Sequence, residues 1–274
     1  RKPVSYTLES NGYNMNDLKD IVEIPIYAIP EWTLKYSFGD YYEIAKNQFS
    51  MLTYDTPESI IKISDYNKIA SLYGEEQYSM NDDEYIVLCD FEQMSNLRNE
   101  ALKTNSNKEI NGKTYHSKYN ECKEGFVFMS ASEMNAGIIL VPDNFEIKDE
   151  YIEQYFLAAN YNAETEEDKQ KIENTLIGSG NTDFIENIKE KGINLDGSSK
   201  ISLAESSKGL ATIIIFIAIY LGIVFLIAGS AILALKQLTE SSDNKQRYTI
   251  LRKIGCDEKM INQALFRQIF IFFM

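Results

Sequence analysis

Few side chains in this sequence combine into the patterns that catalysis or metal binding requires. His116 is the only histidine, so no histidine pair can bind zinc, and no third group orients a Cys122–His116 nucleophile pair. Asp82-Asp83-Glu84 lacks the spaced oxygen ligands of a calcium loop and is typical of a solvated turn. Gly178-Ser179-Gly180 is too short to bind phosphate, and no G-x-x-x-x-G-K-[ST] motif is present. We therefore expect no enzymatic activity, no metal and no cofactor in this chain.

The charges are divided unevenly among three regions of the 274 residues. Residues 1–208 carry 20 basic and 37 acidic side chains, a net charge of −17, whereas residues 209–235 carry none. Residues 236–274 carry seven basic and four acidic side chains. The overall charge of −14 argues against a general nucleic-acid-binding protein, because such proteins need a basic surface to displace counterions.

The uncharged region predicts a membrane-spanning helix. Gly209–Leu235 comprises 27 residues without a charge, and as a helix it would be about 40 Å long. That length is sufficient to cross a hydrocarbon layer of about 30 Å. A second apolar run begins near Phe266. We therefore expect a complete span over residues 208–236 and the start of another over residues 265–274, in a fragment of a multi-pass protein.

The basic residues beside this span indicate its orientation. Six lysines and arginines lie between Lys236 and Lys259, whereas the two nearest lysines on the other side are accompanied by acidic residues. The positive-inside rule therefore places residues 237–264 in the cytoplasm and residues 1–207 outside the cell.

The three cysteines fall on both sides of the predicted membrane. Cys256 lies in the cytoplasmic segment and is expected to remain a thiol. Cys89 and Cys122 lie in the external region, where the sequence leaves open either a disulfide or two thiols.

The external region combines strand-like and helix-like patterns and predicts one α+β domain over residues 1–207. The predicted strands are Pro3–Glu9, Asp20–Ile29, Ile60–Ile63, Glu84–Cys89, Gly125–Met129 and Gly137–Val141. Asn111-Gly112 predicts a type I′ hairpin turn. The predicted helices are Ser64–Tyr73 (capped by Ser64-Asp65 and ended by Gly74), Phe91–Lys103, Asp149–Tyr161, Ala163–Leu176 and Thr182–Lys191, with Gly178 and Gly192 as further stops.

The cytoplasmic segment 237–264 contains the pattern of a short basic amphipathic helix. Ser241-Ser242-Asp243 offers an N-cap, and Gly255 offers a C-terminal stop. Tyr248 and Leu251 lie on one face, three residues apart, while arginines and lysines occupy other faces. Such a helix docks in a groove of a partner protein, lies on the anionic inner leaflet, or forms only a solvated turn. The residues alone leave these three alternatives open.

Segments in and after the span resemble the FtsX-like permease family. These segments are Tyr220–Ile227, Ala231–Leu238, Asp243–Tyr248 and Leu251–Gly255. More narrowly, they are similar to the permease subunit of bacitracin-export-type ABC transporters of Gram-positive bacteria. In the external region, Ile63–Lys68 and Val141–Asp143 also resemble this family.

The resemblance implies a ten-span permease whose large external domain lies between the seventh and eighth spans. It also implies a separate ATPase subunit as partner, contacted by Arg247, Tyr248, Leu251 and Arg252. The implied function is antimicrobial-peptide sensing and resistance, with residues 1–207 contacting a peptide or a lipid-linked wall precursor. A sensor histidine kinase is a further partner that the family context allows. The alternative is an FtsX-like tethered external module that regulates cell-wall enzymes or signalling without transport.

Small residues in the span indicate where another helix would pack. Gly222, Gly229 and Ser230 allow a neighbouring helix to approach closely in lipid, where packing replaces the hydrophobic drive. We predict that this face contacts another span, whereas large residues such as Ile214 and Phe225 face membrane lipid.

Overall fold

A seven-stranded mixed sheet lies at the centre of residues 1–206. The computed structural model describes the chain except for Met51, Ala131, Glu133, residues 178–182, Asn194 and Met274. The chain divides into two units, Arg1–Ser206 and Ser207–Met274. The strands are β1 (Leu18–Tyr27), β2 (Ile60–Lys62), β3 (Glu84–Leu88), β4 (Asn107–Ile110), β5 (Lys113–Ser117), β6 (Ile138–Val141) and β7 (Ile152–Tyr161). Their order across the sheet is β4-β5-β3-β6-β2-β1-β7.

Helices account for most of the remaining regular structure. They are α1 (Val4–Ser10), α2 (Leu34–Phe38), α3 (Tyr42–Gln48), α4 (Ile63–Tyr73), α5 (Glu92–Thr104), α6 (Glu166–Leu176), α7 (Asp183–Glu190), α8 (Lys200–Lys253) and α9 (Glu258–Phe273). Short 3₁₀ turns occur at Met15–Asp17, Gly39–Tyr41 and Asp149–Tyr151. The predicted succession of an α+β domain and a long apolar helix is confirmed.

Alternation along the central strands divides the core into two layers. Ile86 on β3 joins Tyr66 and Ile69 of α4 in one buried cluster. The next residue along the chain, Val87, packs on the opposite face of the sheet with Trp32. Because both faces are covered, β3 and β6 are apolar at nearly every position.

Elements with strong local signals are confirmed. Strands β1, β2, β3 and β6 and helices α4 to α7 lie within a few residues of their predicted positions. Asn111 and Gly112 adopt φ angles of 53° and 75°, as the type I′ turn between β4 and β5 requires. Gly74 ends α4 in the left-handed conformation, with a φ of 78°. The predicted loop Gly178-Ser179-Gly180 and the predicted helix start at Thr182 lie outside the described residues.

The predicted strand Pro3–Glu9 is wrong, because these residues form most of α1. The carboxylate of Glu23 on β1 accepts hydrogen bonds from the backbone N–H groups of Val4 and Ser5. These bonds satisfy two of the four N–H groups that a helix leaves unpaired at its start. A contact between residues 19 positions apart therefore overrides the local β-forming pattern.

The predicted helix Asp149–Tyr161 is also wrong. After one 3₁₀ turn, the chain forms β7, which pairs antiparallel with β1 along nearly its whole length. Phe156 packs on one face of this strand and Leu157 on the other, which is the period of two that a strand imposes. Pairing with a distant strand decides the conformation, and local helix propensity contains no information about that partner.

Gly125–Met129 does not form the predicted strand. Side-chain donors occupy its backbone acceptors instead of a neighbouring strand. Asn135 Nδ2 donates to the carbonyl of Gly125 at 2.8 Å, and the Tyr73 hydroxyl donates to the carbonyl of Val127 at 3.0 Å. These carbonyls are therefore satisfied without a strand partner.

The start of α4 is stabilised differently from the prediction. No side chain of Ser64-Asp65 caps the helix, whose first residue follows Lys62. Instead, Oδ1 of Asp143 accepts a hydrogen bond from the Ser64 N–H at 3.2 Å. Because β2 and β6 are parallel, with Lys62 opposite Val141, the residues that follow each strand meet at one edge. The segments Ile63–Lys68 and Val141–Asp143 therefore lie in contact.

The second unit consists of helical residues of α8 followed by α9. The N-cap predicted at Ser241-Ser242-Asp243 is wrong, because α8 continues without a break to Lys253. Serine and aspartate cost only a few tenths of a kcal/mol inside a helix, and the residues on both sides are good helix formers. Among the described residues, α8 is the one helix that is long and apolar enough to cross a membrane.

Candidate functional site

A tight turn joins the end of α8 to α9. Gly255 has a φ of 92°, a conformation that favours glycine because a Cβ would be strained there. Its N–H donates to the carbonyl of Arg252 at 3.2 Å, and the N–H of Cys256 donates to the carbonyl of Leu251 at 3.1 Å. These two bonds form a Schellman motif, which satisfies carbonyls at the end of the helix. The predicted stop at Gly255 is confirmed.

Arg252, a predicted ATPase contact, takes part in this turn. Its Nη2 atom lies 2.7 Å from Oε1 of Glu258 in the first turn of α9. Both side chains are exposed, so this ion pair contributes little to stability. The remaining N–H donors of the exposed Arg252 guanidinium are available to an acidic residue of a partner.

Tyr248, a second predicted contact, lies on the side of α8 that faces α9. The partly covered positions Gln237, Glu240, Asn244 and Tyr248 are three or four residues apart and form one stripe along the helix. Oε1 of Glu240 accepts a hydrogen bond from Nε2 of Gln268 in α9 at 3.2 Å. Tyr248 is therefore placed where it can support the pair of helices as well as contact a partner.

The other side of the same helix end is open. Arg247 is exposed, and Leu251 is 36% exposed. Ile250 and Ile254 are more exposed, at 59% and 72%. The sequence reasoning centred on Tyr248 and Leu251 and missed Ile250, although its i, i+4 spacing to Ile254 was a signal for a second apolar face.

The small residues of the span are divided between two directions. Gly222 and Gly229 share one face of α8, because seven residues make nearly two helical turns. Apart from the adjacent residues and backbone of α8 itself, no described atom lies within 4 Å of the position that a Cβ would take at either glycine. Ser230 is exposed and is rotated by about 100° from Gly229. Contact of these residues with another span stays a prediction.

A buried ion pair links separate parts of the first unit. Arg98 on α5 donates from Nη1 and Nη2 to the two carboxylate oxygens of Glu58, at 2.8 and 2.9 Å. Burial alone would raise the pKa of Glu58, but the charge and hydrogen bonds of Arg98 outweigh burial and lower it. The guanidinium lies against Gly137, where a Cβ would come within 2.1 Å of Nη2. Glycine is therefore required beside this ion pair.

Lys108 on β4 is a second buried cation near the pair. Its Nζ atom donates to the carbonyls of Tyr36 at 3.0 Å and Ser37 at 3.2 Å. Burial lowers the pKa of Lys108 to about 8; the charge of Glu58 opposes this shift and that of Arg98 adds to it. The sequence analysis identified neither Lys108 nor the Arg98–Glu58 ion pair, because these interactions join residues that are far apart in the chain.

A groove of about 1460 Å³ follows the free edge of β7 in the first unit. Its lining includes Gln154–Tyr161 and apolar side chains such as Tyr73, Phe128 and Leu195. Among the described residues, the charged side chains that line it are five basic and three acidic: Arg1, Lys2, Lys19, Lys169, Lys200, Asp20, Glu166 and Asp196. The local balance of charge is therefore positive, although residues 1–208 carry a net charge of −17.

The residues considered for catalysis or metal binding make structural contacts. Nδ1 of His116 lies 2.8 Å from Oδ1 of Asn107 on the neighbouring strand. The backbone carbonyl of Asp83 accepts a hydrogen bond from the His116 N–H at 2.8 Å. Within the described part of the chain, no three histidine, cysteine, aspartate or glutamate residues form a group that could hold a metal ion.

Comparison with known proteins links part of the chain to membrane permeases. Over 57 residues it is 44% identical to the bacitracin export permease protein BceB of Bacillus subtilis (strain 168). Over 57 residues it is 40% identical to the protein of the same name from Halalkalibacterium halodurans. Each match spans 21% of this chain and only 9% of the length of the relative. No family model matches the sequence, and no solved structure matches it.

Proposed function

We propose that this chain is part of an FtsX-like permease subunit of an ABC transporter that acts in sensing of, and resistance to, antimicrobial peptides. The observation that carries this proposal is the similarity over 57 residues to two bacitracin export permeases. The long apolar helix α8 supports it, because a permease needs helices whose backbone groups are satisfied within the membrane. The permease is multi-pass, with residues 1–207 outside the cell.

ATP hydrolysis is assigned to a separate ATPase subunit that contacts the end of α8 and the turn into α9. The free energy of hydrolysis reaches the span only through a physical contact and an element that moves between two arrangements. Helix α8 continues from the apolar segment to Lys253 without a break, and the Schellman motif at Gly255 fixes the start of the turn. A displacement applied at this turn would therefore be passed to the cytoplasmic half of the span.

The groove along β7 is assigned to the ligand of the external region. The net charge of −17 on residues 1–208 attracts cationic peptides towards the surface as a whole. The groove itself combines apolar walls with an excess of basic side chains. A lipid-linked wall precursor carries anionic phosphate and an apolar chain, so its chemistry matches the groove better than that of a cationic peptide.

The test of the coupling site compares variants of the full-length permease, purified with its ATPase subunit in lipid nanodiscs. Truncation of an apolar anchor in an interface costs about 2 kcal/mol, which corresponds to about a 30-fold rise in Kd. We expect Ile250→Ala and Leu251→Ala to produce this loss of ATPase binding and to lower peptide resistance in cells. Tyr248→Ala should do the same and also loosen the contact between α8 and α9.

Two controls accompany these variants. Thr249→Ala changes an exposed position between Tyr248 and Ile250 and should leave ATPase binding unchanged. Arg252→Ala removes a residue already paired with Glu258 and should have a smaller effect than the apolar truncations. If all three apolar truncations retain the ATPase and full resistance, the turn is not the coupling site. A tethered module without transport then becomes the better interpretation.

A further inference from the structure

Cys89 and Cys122 are held side by side by backbone hydrogen bonds. Cys122 lies in the segment that follows β5, and Cys89 directly follows β3. The N–H of Lys123 donates to the carbonyl of Val87 at 2.9 Å, and the N–H of Cys89 donates to the carbonyl of Lys123 at 3.0 Å. The N–H of Cys122 is held by Oδ1 of Asn99 on α5 at 2.6 Å. These bonds place the segment that carries Cys122 beside the end of β3, and both cysteines pack in one apolar cluster.

The surroundings of the pair favour thiol–disulfide chemistry. Cys89 is buried with Met94 and Leu97, and the half-buried Cys122 packs against the same cluster. The pKa of the Cys89 thiol is lowered, chiefly because the Cys122 thiol donates a hydrogen bond to its sulfur and also because the charge of Arg98 is nearby. In the structure both cysteines are free thiols, and Sγ of Cys89 donates to the carbonyl of Phe91 at 3.8 Å. Exchange with a disulfide requires that the attacking cysteine becomes a thiolate.

We propose that Cys89 and Cys122 form a disulfide bond in the mature protein. Cys122, the more accessible of the two, loses its proton to solvent and attacks as a thiolate the disulfide of an external thiol oxidant, either a small-molecule disulfide or an oxidoreductase; a mixed disulfide forms, and the released donor thiolate takes up a proton. Cys89 then loses its proton, attacks the Cys122 sulfur and releases the second donor thiolate, which is protonated in turn. In total, the two cysteine S–H bonds are lost, one S–S bond forms, and the two electrons and two protons reduce the donor disulfide to two thiols.

The proposal rests on the proposed placement of residues 1–207 outside the cell, where disulfides persist. The bond would close a loop that contains α5 and the β4–β5 hairpin and would fasten it to the end of β3. Cys256, in the proposed cytoplasmic segment, has no such partner among the described cysteines and remains a thiol.

The test uses the full-length protein in intact cells. Thiols are trapped by acid quenching and N-ethylmaleimide before purification, and the protein is digested without reduction and mapped by mass spectrometry. We expect a linked peptide containing Cys89 and Cys122 and an alkylated Cys256. In the matched Cys122→Ser variant, Cys89 should carry N-ethylmaleimide. Recovery of both Cys89 and Cys122 as alkylated peptides in the unmutated protein overturns the proposal.

A separate measurement reports the placement of the domain. Lys148 is an exposed surface residue, and a Lys148→Cys substitution in a Cys89→Ser, Cys122→Ser, Cys256→Ser background gives a single thiol that a membrane-impermeant maleimide can label on intact cells. Labelling together with free Cys89 and Cys122 in the unmutated protein overturns the disulfide and leaves the proposed function intact. Absence of labelling in intact cells, with labelling after lysis, overturns the external placement itself.

Discussion

Replacing Arg98 by methionine removes the partner of a buried carboxylate. The side chains of Arg98 and Glu58 are each 5% exposed, and two hydrogen bonds of 2.8 and 2.9 Å join them. Arg98 also donates from Nε to the carbonyl of Ala136 at 2.7 Å. Breaking a buried ion pair from one side costs about 3–5 kcal/mol, because the remaining charge has lost its compensation. We expect Arg98→Met to lower the free energy of unfolding by about this amount.

The double variant Glu58→Met, Arg98→Met distinguishes the stabilisation that the ion pair provides from the free-energy cost of leaving one buried charge unpaired. Apolar side chains of similar volume often replace a buried ion pair at little cost. The carbonyl of Ala136 still loses one hydrogen bond, which costs about 1 kcal/mol. The double variant should therefore be more stable than Arg98→Met alone by about 2–4 kcal/mol.

Trp32 supplies the assay. It is the only tryptophan in the sequence, is fully buried, and lies edge-on to Tyr85 with ring centroids 5.2 Å apart. Its fluorescence should report unfolding of the first unit in urea, with the whole chain held in detergent. For a slope of about 2 kcal/mol per molar urea, Arg98→Met should lower the midpoint by about 2 M.

A matched control changes an exposed ion pair on the same helix. Lys103 pairs with Glu100 at 2.6 Å, and both side chains are about half exposed, so Lys103→Met should leave the midpoint unchanged. The reasoning is refuted if Arg98→Met shifts the midpoint no more than this control does. It is also refuted if the double variant loses the sum of the two single effects.

The Arg98–Glu58 ion pair also predicts that the stability of the first unit is sensitive to acid. The pKa of Glu58 is lower in the folded chain than its ordinary value of 4.5, so the unfolded chain binds a proton first as the pH falls. The stabilisation is present above pH 4.5 and is lost as the pH falls through the folded-state pKa. The double variant should show a shallower loss of stability in this range.

Three further predictions concern other contacts. Asp143→Ala removes the acceptor of the Ser64 N–H and should destabilise the first unit by about 1 kcal/mol in urea unfolding, whereas Asp143→Asn should retain most of it. The pKa of Lys108 is lowered to about 8, so between pH 8 and 10 the unfolded chain holds a proton that the folded chain has lost. Stability should therefore rise over this range, and a rise of the same size in Lys108→Met would contradict the assignment. Gly222→Leu should impair assembly or transport in cells, because it fills the face predicted to pack against another span; Ile214→Leu, on the predicted lipid face, should not.

The sequence predicted the elements whose signals are local. Asn111-Gly112 specifies its turn through positive φ angles, Gly74 ends its helix for the same reason, and Glu84–Cys89 is apolar enough to require burial on both faces. In contrast, the predicted strand Pro3–Glu9 forms a helix whose start is bound by Glu23. The predicted helix Asp149–Tyr161 contains a strand paired with β1. Both outcomes depend on residues far away in the chain.

The candidate site divides in the same way. The apolar span and the stop at Gly255 followed from the sequence, because hydropathy and glycine conformation are local properties. The sequence did not predict that Tyr248 and Ile250 lie on different sides of α8, because this depends on the position of α9. The stripe that contains Tyr248 faces α9 through the hydrogen bond between Glu240 and Gln268, whereas Ile250 is exposed. A partner that binds this helix end would meet the isoleucine side first.

Net charge and local charge favour different ligands for residues 1–207, the region proposed to lie outside the cell. A domain charge of −17 acts at a distance and is screened beyond about 8–10 Å at physiological salt. Inside a groove, the nearest side chains and the surrounding apolar walls determine the field. Five of the eight charged residues that line the groove along β7 are basic, so an anionic headgroup is attracted there even though the whole region repels anions. Under the proposed function, the surface as a whole would therefore attract a cationic peptide, whereas the groove would attract an anionic precursor.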